Sequence, residues 1–137
     1  RAIEVCLQTG NTYTSLRKNK PKKRDFQIIK LGLEIERNIL NERINKRTDE
    51  MVKSGWLDEA RTVYPYRQLN ALNTVGFKEL FAYFDGKMTF KDATEKIKTN
   101  TRRFAKRQMT WFKKDAGISW FNPKDKEKII SYLYDNL

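Results

Sequence analysis

Fourteen consecutive positions, Thr101 to Lys114 ("TRRFAKRQMTWFKK"), hold six Lys or Arg, three aromatics and no acid. Side chains of that kind hold phosphate: Arg offers a planar fork to two oxygens at once, Lys a compact point charge. On a 3.6-residue helix Arg103, Lys106, Arg107, Lys113 and Lys114 share one face, with Thr110 among them. Ile97, Phe104, Ala105, Trp111 and Phe112 share another, and Gln108 sits at its border. A face that merely meets water interleaves acids, for solubility and for i,i+4 pairing. None occurs between Glu95 and Asp115. We therefore expect an anionic partner on the basic face and a core under the apolar one, with Trp111 at the border as a candidate for base stacking.

A second candidate is Arg47. Leu40, Ile44 and Met51 fall on one helical stripe, Arg47 occupies the turn between Ile44 and Met51, and Arg37 lies at the start. An Arg in such a stripe has two readings. It snorkels or pairs with a buried carboxylate, or it aims its fork at a bound phosphate. Both place the guanidinium at the rim of a buried face.

The rest of the composition narrows the chemistry. The chain has 137 residues and a formal charge of +12, from 29 basic against 17 acidic residues. That fits one domain, or one domain and an appendage, with a polyanionic partner; nucleic acid leads, and a membrane surface is disfavoured. With no His there is no His base, no triad and no His-ligated metal, and with Cys6 as the only Cys there is no intrachain disulfide. That cysteine usage suits a reducing cytoplasm. No phosphate-cradling G-x-x-x-x-G-K-[ST] loop and no D-D-x-x-D metal motif occurs. The chain opens without Met on an apolar helical pattern, and we expect it to be a piece of a longer protein.

The positioning elements are mostly helical. Residues 1–8 form a short helix that Thr9-Gly10 stops. "NTYTSLRKNKPKKRD" is polar, with Pro21 and six basic residues from Arg17 to Arg24. It reads as a solvated linker or as a phosphate-contacting loop. "FQIIKLGLEI", Phe26 to Ile35, is the one strand, apolar on both faces, and no convincing second strand accompanies it. Helices follow at Arg37–Lys53, after Ser54-Gly55 as far as Pro65, and through Leu80, Phe81 and Phe84 to Asp85-Gly86. The longest runs from an N-cap at Thr89 to Lys114. The last starts at Pro123 and packs Ile129, Ile130, Leu133 and Tyr134.

Several of these stretches resemble one family in order. "TRRFAKRQMTWFKK" is similar to the T-R-x-[YF]-A-K-R-Q-x-T-W-[FL]-[RK] signature of the tRNA dimethylallyltransferases, also called tRNA isopentenyltransferases. "RAIEVCLQTGNTYTSLR" resembles the family's R-A-[LI]-E-V-x-x-x-T-G stretch. "LGLEIERNILNERINKRTDEMVKSGWLDEA" resembles its strand and R-x-x-L-x-x-R-I-x-x-R-x-x-x-M-x-x-x-G helix. "LNTVGFKELFAYFDGKMTFKDA" resembles its [AC]-[IV]-G-[YF]-[KR]-E-[LM] stretch, and "GISWFN" its W-[FL]-[DN] ending.

The resemblance implies transfer of a dimethylallyl group from dimethylallyl diphosphate to N6 of the adenosine 3′ of the anticodon. It implies that Arg47 binds the diphosphate. It implies tRNA contact by Asn73, Thr74, Val75, Gly76, Phe77 and Lys78, and by Lys106, Arg107, Gln108, Met109, Thr110, Trp111, Phe112 and Lys113. Asn73-Thr74 replaces a commoner small or apolar pair, and Phe77 replaces Tyr. The implied fold is mostly α: helices plus one strand of a parent P-loop-type α/β parallel sheet whose N-terminal half is absent. Residues 1–24 would be the tail of a helical insertion domain with a basic linker, and 25–137 the C-terminal part of the catalytic core with its tRNA-binding helices. The P-loop, the Mg²⁺ ligands and the general base would lie upstream, leaving this piece inactive alone. Its partners would be a tRNA anticodon stem-loop and dimethylallyl diphosphate, in the cytoplasm and with no membrane, and its unpaired strand could pair with a second copy. The alternative is a stand-alone basic RNA-binding module without catalysis.

Overall fold

Short-range signals account for most of the helix ends in the computed structural model, which describes residues 2–16 and 25–137. Helix α1 (Ala2–Thr9) stops at Gly10, whose N–H reaches the Cys6 carbonyl. A single turn, α2 (Tyr13–Leu16), lies in the stretch expected to be irregular. The basic run from Arg17 to Arg24 lies outside the described residues. Helix α3 (Arg37–Lys53) leads through Ser54-Gly55 into α4 (Trp56–Val63), which stops short of Pro65 and passes into a 3₁₀ turn, Tyr64–Tyr66. Helix α5 (Phe77–Phe84) follows, then α6 (Phe90–Phe112). Thr89 caps α6: its Oγ1 accepts from the Asp92 amide at 3.1 Å and donates to the Asp92 carboxylate at 2.6 Å.

The core sits where α4, α5 and α6 meet. Ala60, Leu80, Phe81 and Ile97 are buried, and Trp56, Leu57, Phe77, Phe84 and Phe90 close around them. Helix α3 joins along α6 through polar as well as apolar groups. Lys98 bridges Asp49 at 2.8 Å and Glu95 at 3.0 Å, and both bonds hold its ammonium above the usual lysine range. The packed face of α3 runs through Ile44, Asn45 and Thr48, with Thr48 buried. Arg47 lies just past the edge of that face, exposed and making no hydrogen bond or ion pair among the described residues. The expected rim position therefore becomes a solvent-facing one. Asn45 and Asp49 face α6, meeting Arg102 and Lys98, so the polar side of the stripe and not Arg47 meets the neighbouring helix.

The strand region departs from expectation in a second way. Strand β1 is shorter than the apolar run around it, Lys30–Leu33, and it has a partner: β2 (Ile118–Phe121) pairs with it in parallel, Gly32 opposite Trp120. The four residues of β2 were expected to lead into a helix. Instead Asn122 closes an Asx turn, its Oδ1 accepting from the Lys124 amide at 3.0 Å, and α7 begins only at Lys126, running to Asp135. Gly32 is required by its partner: a Cβ there would lie 2.5 Å from Trp120 Cε3. Both strands belong to one parallel pair whose crossover is the whole helical unit, so the mostly α architecture with a fragment of parallel sheet is observed.

Candidate nucleic-acid and phosphate interface

The C-terminal half of α6 presents its cations as the periodicity requires. Arg103, Lys106, Arg107 and Lys114 are exposed, and none pairs with an acid among the described residues. Arg107 lies over the Phe104 ring at 5.9 Å. Lys113 is engaged: its Nζ is 2.5 Å from Glu34 Oε1 and 5.9 Å from the centre of the Trp120 ring. That ion pair is exposed on both sides, so it is worth little and an incoming phosphate can compete for the lysine.

The apolar side of α6 is not where the aromatics lie. The packed stripe runs through Ala93, Ile97, Thr101, Ala105 and Met109, while Phe104 is 54% and Trp111 68% exposed. Small side chains face α3 and α5 because close helix packing needs them there, and the large rings are displaced to the flank. Trp111 meets Phe112 edge-on at 4.8 Å, leaving its indole open. Arg103, Lys106, Arg107, Thr110, Trp111 and Lys114 line one shallow depression, which puts an aromatic plane among four cations. Phosphates and an unstacked base are the chemistry such a surface takes.

A larger groove opens on the other flank of α6. Its floor is formed where the chain leaves β1 and β2, at Glu34–Glu36 and Phe121–Pro123. Its walls carry Arg37 and Arg43 from α3, and Arg102, Arg103, Lys106 and Lys113 from α6. A crevice outside the carboxyl ends of parallel strands is the usual ligand position in α/β sheets. Arg102 is fixed there, donating to Asn45 Oδ1 at 2.6 Å and to Thr99 Oγ1 at 2.9 Å. Arg43 and Arg102 were not singled out from the sequence. The signal was present in their spacing, Arg43 one turn before Arg47 and Arg102 one turn before Lys106. Arg47 itself, one turn along α3 from Arg43, does not line this groove.

The segment Asn73–Lys78 lies elsewhere. Asn73, Thr74, Val75 and Lys78 are exposed and Gly76 is buried, while Phe77 stacks on Phe81 with centroids 5.8 Å apart. Asn73 and Lys78 line a separate depression with Arg67 and Lys87. Asn73 and Lys78 thus line a different depression from that of the α6 cations. Gln108 is exposed, Met109 packs inward, and Thr110 donates to the Lys106 carbonyl at 2.9 Å.

Among the described residues no group of three or more His, Cys, Asp or Glu side chains could hold a metal ion. No helix among those residues is long and apolar enough to cross a membrane.

Comparisons with known proteins identify the family and its fold. The family model described as "IPP transferase" matches residues 1–115. A tRNA dimethylallyltransferase of Bacteroides fragilis (strain YCH46) is 52% identical over 132 residues, covering 96% of this chain and 44% of that protein. One from Azobacteroides pseudotrichonymphae genomovar. CFP2 is 55% identical over 137 residues, with 99% and 45% covered. The crystal structure of the full-length tRNA isopentenylpyrophosphate transferase from Bacillus halodurans superposes with a TM-score of 0.73 at 35% identity, over 88% of this chain and 41% of that one. The chain thus spans under half the length of these relatives, in their C-terminal part. It belongs to the IPP transferase family.

Proposed function

We propose that this chain is the RNA-holding part of a tRNA dimethylallyltransferase. The complete protein moves a dimethylallyl group from its diphosphate to N6 of the adenosine 3′ of the anticodon, in the cytoplasm. This part supplies the surface that grips the anticodon stem-loop, and Arg47 holds the departing diphosphate. P-loop, metal ligands and general base come from outside this chain, which alone transfers nothing. The observation that carries the reading is the acid-free face of α6, where four exposed cations without acidic partners flank an open indole. Unpaired like charges repel, and phosphates relieve that repulsion while releasing counterions. The exposed state of Arg47 supports its role, since its fork is not spent on a carboxylate among the described residues.

The test is retention of an anticodon stem-loop RNA at stepped salt. Affinity should fall linearly in log–log form, and Lys106→Ala with Arg107→Ala should flatten the slope by about one unit per lost phosphate contact. A slope unchanged in the double variant would remove α6 from the interface.

A further inference from the structure

Glu79 occupies the third position of α5, where a carboxylate ordinarily reaches back from the surface to the helix N-cap. Here it is 6% exposed, and no cation pairs with it among the described residues. A buried carboxylate is costly unless its oxygens are satisfied. Both are. Oε2 accepts the Gly76 amide at 2.8 Å, and Oε1 accepts the Asn100 side-chain amide at 2.8 Å. The first bond caps α5. The second leaves α5 altogether and ends on α6, two residues before Arg102 and the acid-free basic stretch.

Capping does not need the second bond, nor burial, since an exposed Glu caps as well. What the second bond adds is a fixed distance between the loop entering α5 and the basic helix. The loop is also seated from below. Gly76 has φ +106, and a Cβ there would lie 2.6 Å from Trp56 Cη2. Trp56 and the Glu79 carboxylate thus both seat the loop at Gly76, and Asn100 ties that carboxylate to α6. Its outward side chains, Asn73 and Thr74, are exposed and make no hydrogen bond among the described residues. They are short polar groups held still with nothing to do inside the protein.

We infer that Glu79 is a positioning residue for RNA: through Asn100 it sets the Asn73–Gly76 loop in register with the α6 cations, so that loop and helix meet one RNA together. This rests on reading α6 as the RNA interface. Pre-setting the loop removes an ordering cost that would otherwise fall on binding. Two N–H donors converge on the carboxylate; a Gln keeps both bonds only if the Asn100 amide turns over, so Asn100 is the partner whose loss breaks the tie to α6.

The reciprocal exchange tests this in the full chain, with a synthetic anticodon stem-loop RNA as probe. Asn100→Leu, which keeps the shape but neither donates nor accepts, should weaken binding about tenfold, the worth of one hydrogen bond to a charged group. The factor should be the same at every salt concentration, because no phosphate contact is lost. Glu79→Gln with Asn100→Asp keeps both bonds with donor and acceptor reversed, and affinity should stay near the unaltered value. Ile97→Val, which trims the same core away from the loop, should lower Tm with little change in affinity. Should Asn100→Leu not fold by circular dichroism, Asn100→Ala must weaken binding by the same factor. Unaltered affinity in the Asn100 variants overturns the inference, as does an equal loss in Ile97→Val at matched Tm. Failure of the unaltered chain to hold RNA removes the interface reading itself, a distinguishable result.

Discussion

The helical unit and the strand pair use similar residues to different effect. In α4, α5 and α6, Leu80 is fully buried and aromatic rings close over it. In β1, Leu33 is 57% exposed, although its sequence context is as apolar. Helices satisfy their backbone within themselves and need only one covered face. A parallel strand needs neighbours on both edges and cover on both faces, and one partner gives neither. The helical unit is therefore held by contacts inside this chain. The strand pair is held by one ladder and by surface ion pairs such as Lys30–Asp115 at 2.6 Å.

The largest expected effect separates function from both regions. Arg47→Ala in the full-length protein should lower turnover by about 10²–10³, as loss of a fixed charge at a leaving group does. Arg47→Lys should recover part of it, because an ammonium lacks the bidentate fork. Tm should hold, since Arg47 is exposed and outside the packed stripe. A large fall in Tm with turnover per folded molecule intact would assign Arg47 to structure instead.

Next comes a direct contrast of the two leucines. Leu80→Ala should cost about 2–5 kcal/mol in urea unfolding. Leu33→Ala should cost under about 1 kcal/mol, because most of its surface already meets water. Equal costs would mean that β1 is covered in solution, by a second copy or otherwise, and sedimentation at stepped concentration would show which.

The glycines sharpen the same contrast at smaller scale. Gly76→Ala combines a left-handed φ with a clash on Trp56 in the core, and about 3 kcal/mol is expected. Gly32→Ala has no positive φ to strain but sets a Cβ 2.5 Å from the part-exposed Trp120 ring, which must shift, and about 1–2 kcal/mol is expected. Thermal unfolding of both variants decides the order.

The smallest effects are in pH dependence. Lys98 has a raised pKa, from its bonds to Asp49 and Glu95, so its stabilisation is complete below the ordinary lysine value of about 10.4. It is lost as pH rises through the raised value, and Lys98→Met should flatten the alkaline limb of Tm against pH. Asp115 has a lowered pKa, from Lys30 and then the Gly117 amide, so its contribution is present above about 3.9 and is lost as pH falls through the lowered value. Asp115→Asn should flatten the acid loosening seen by amide exchange in β1 and β2. It should leave the acid loosening at Asp85, whose pKa is lowered by Lys87 and Tyr64, unchanged.

What could be read in advance was what is decided within a few residues. The Thr89 cap, the stop at Gly10 and the end of α4 before Pro65 each depend on groups no more than four positions apart. So does the cation face of α6, since helical periodicity alone puts Lys106 and Arg107 beside Arg103. Which face of a helix is covered depends on what lies against it. Size and hydropathy pointed to Phe104 and Trp111, but α3 needed small residues at Ala105 and Thr101, and the rings went outside. The same holds for β2, whose four residues carry no alternation and whose partner is far upstream. Arg102 found Asn45, and Glu79 found Asn100, only because separate helices came together. By itself the sequence determined the longer helices and most of their ends, the charge and the family, while the turn at Tyr13–Leu16 and the start of α7 at Lys126 escaped it. Tertiary structure decided which charges are free, which are buried and which are held, because burial and hydrogen bonding between distant segments belong to packing, not to local pattern.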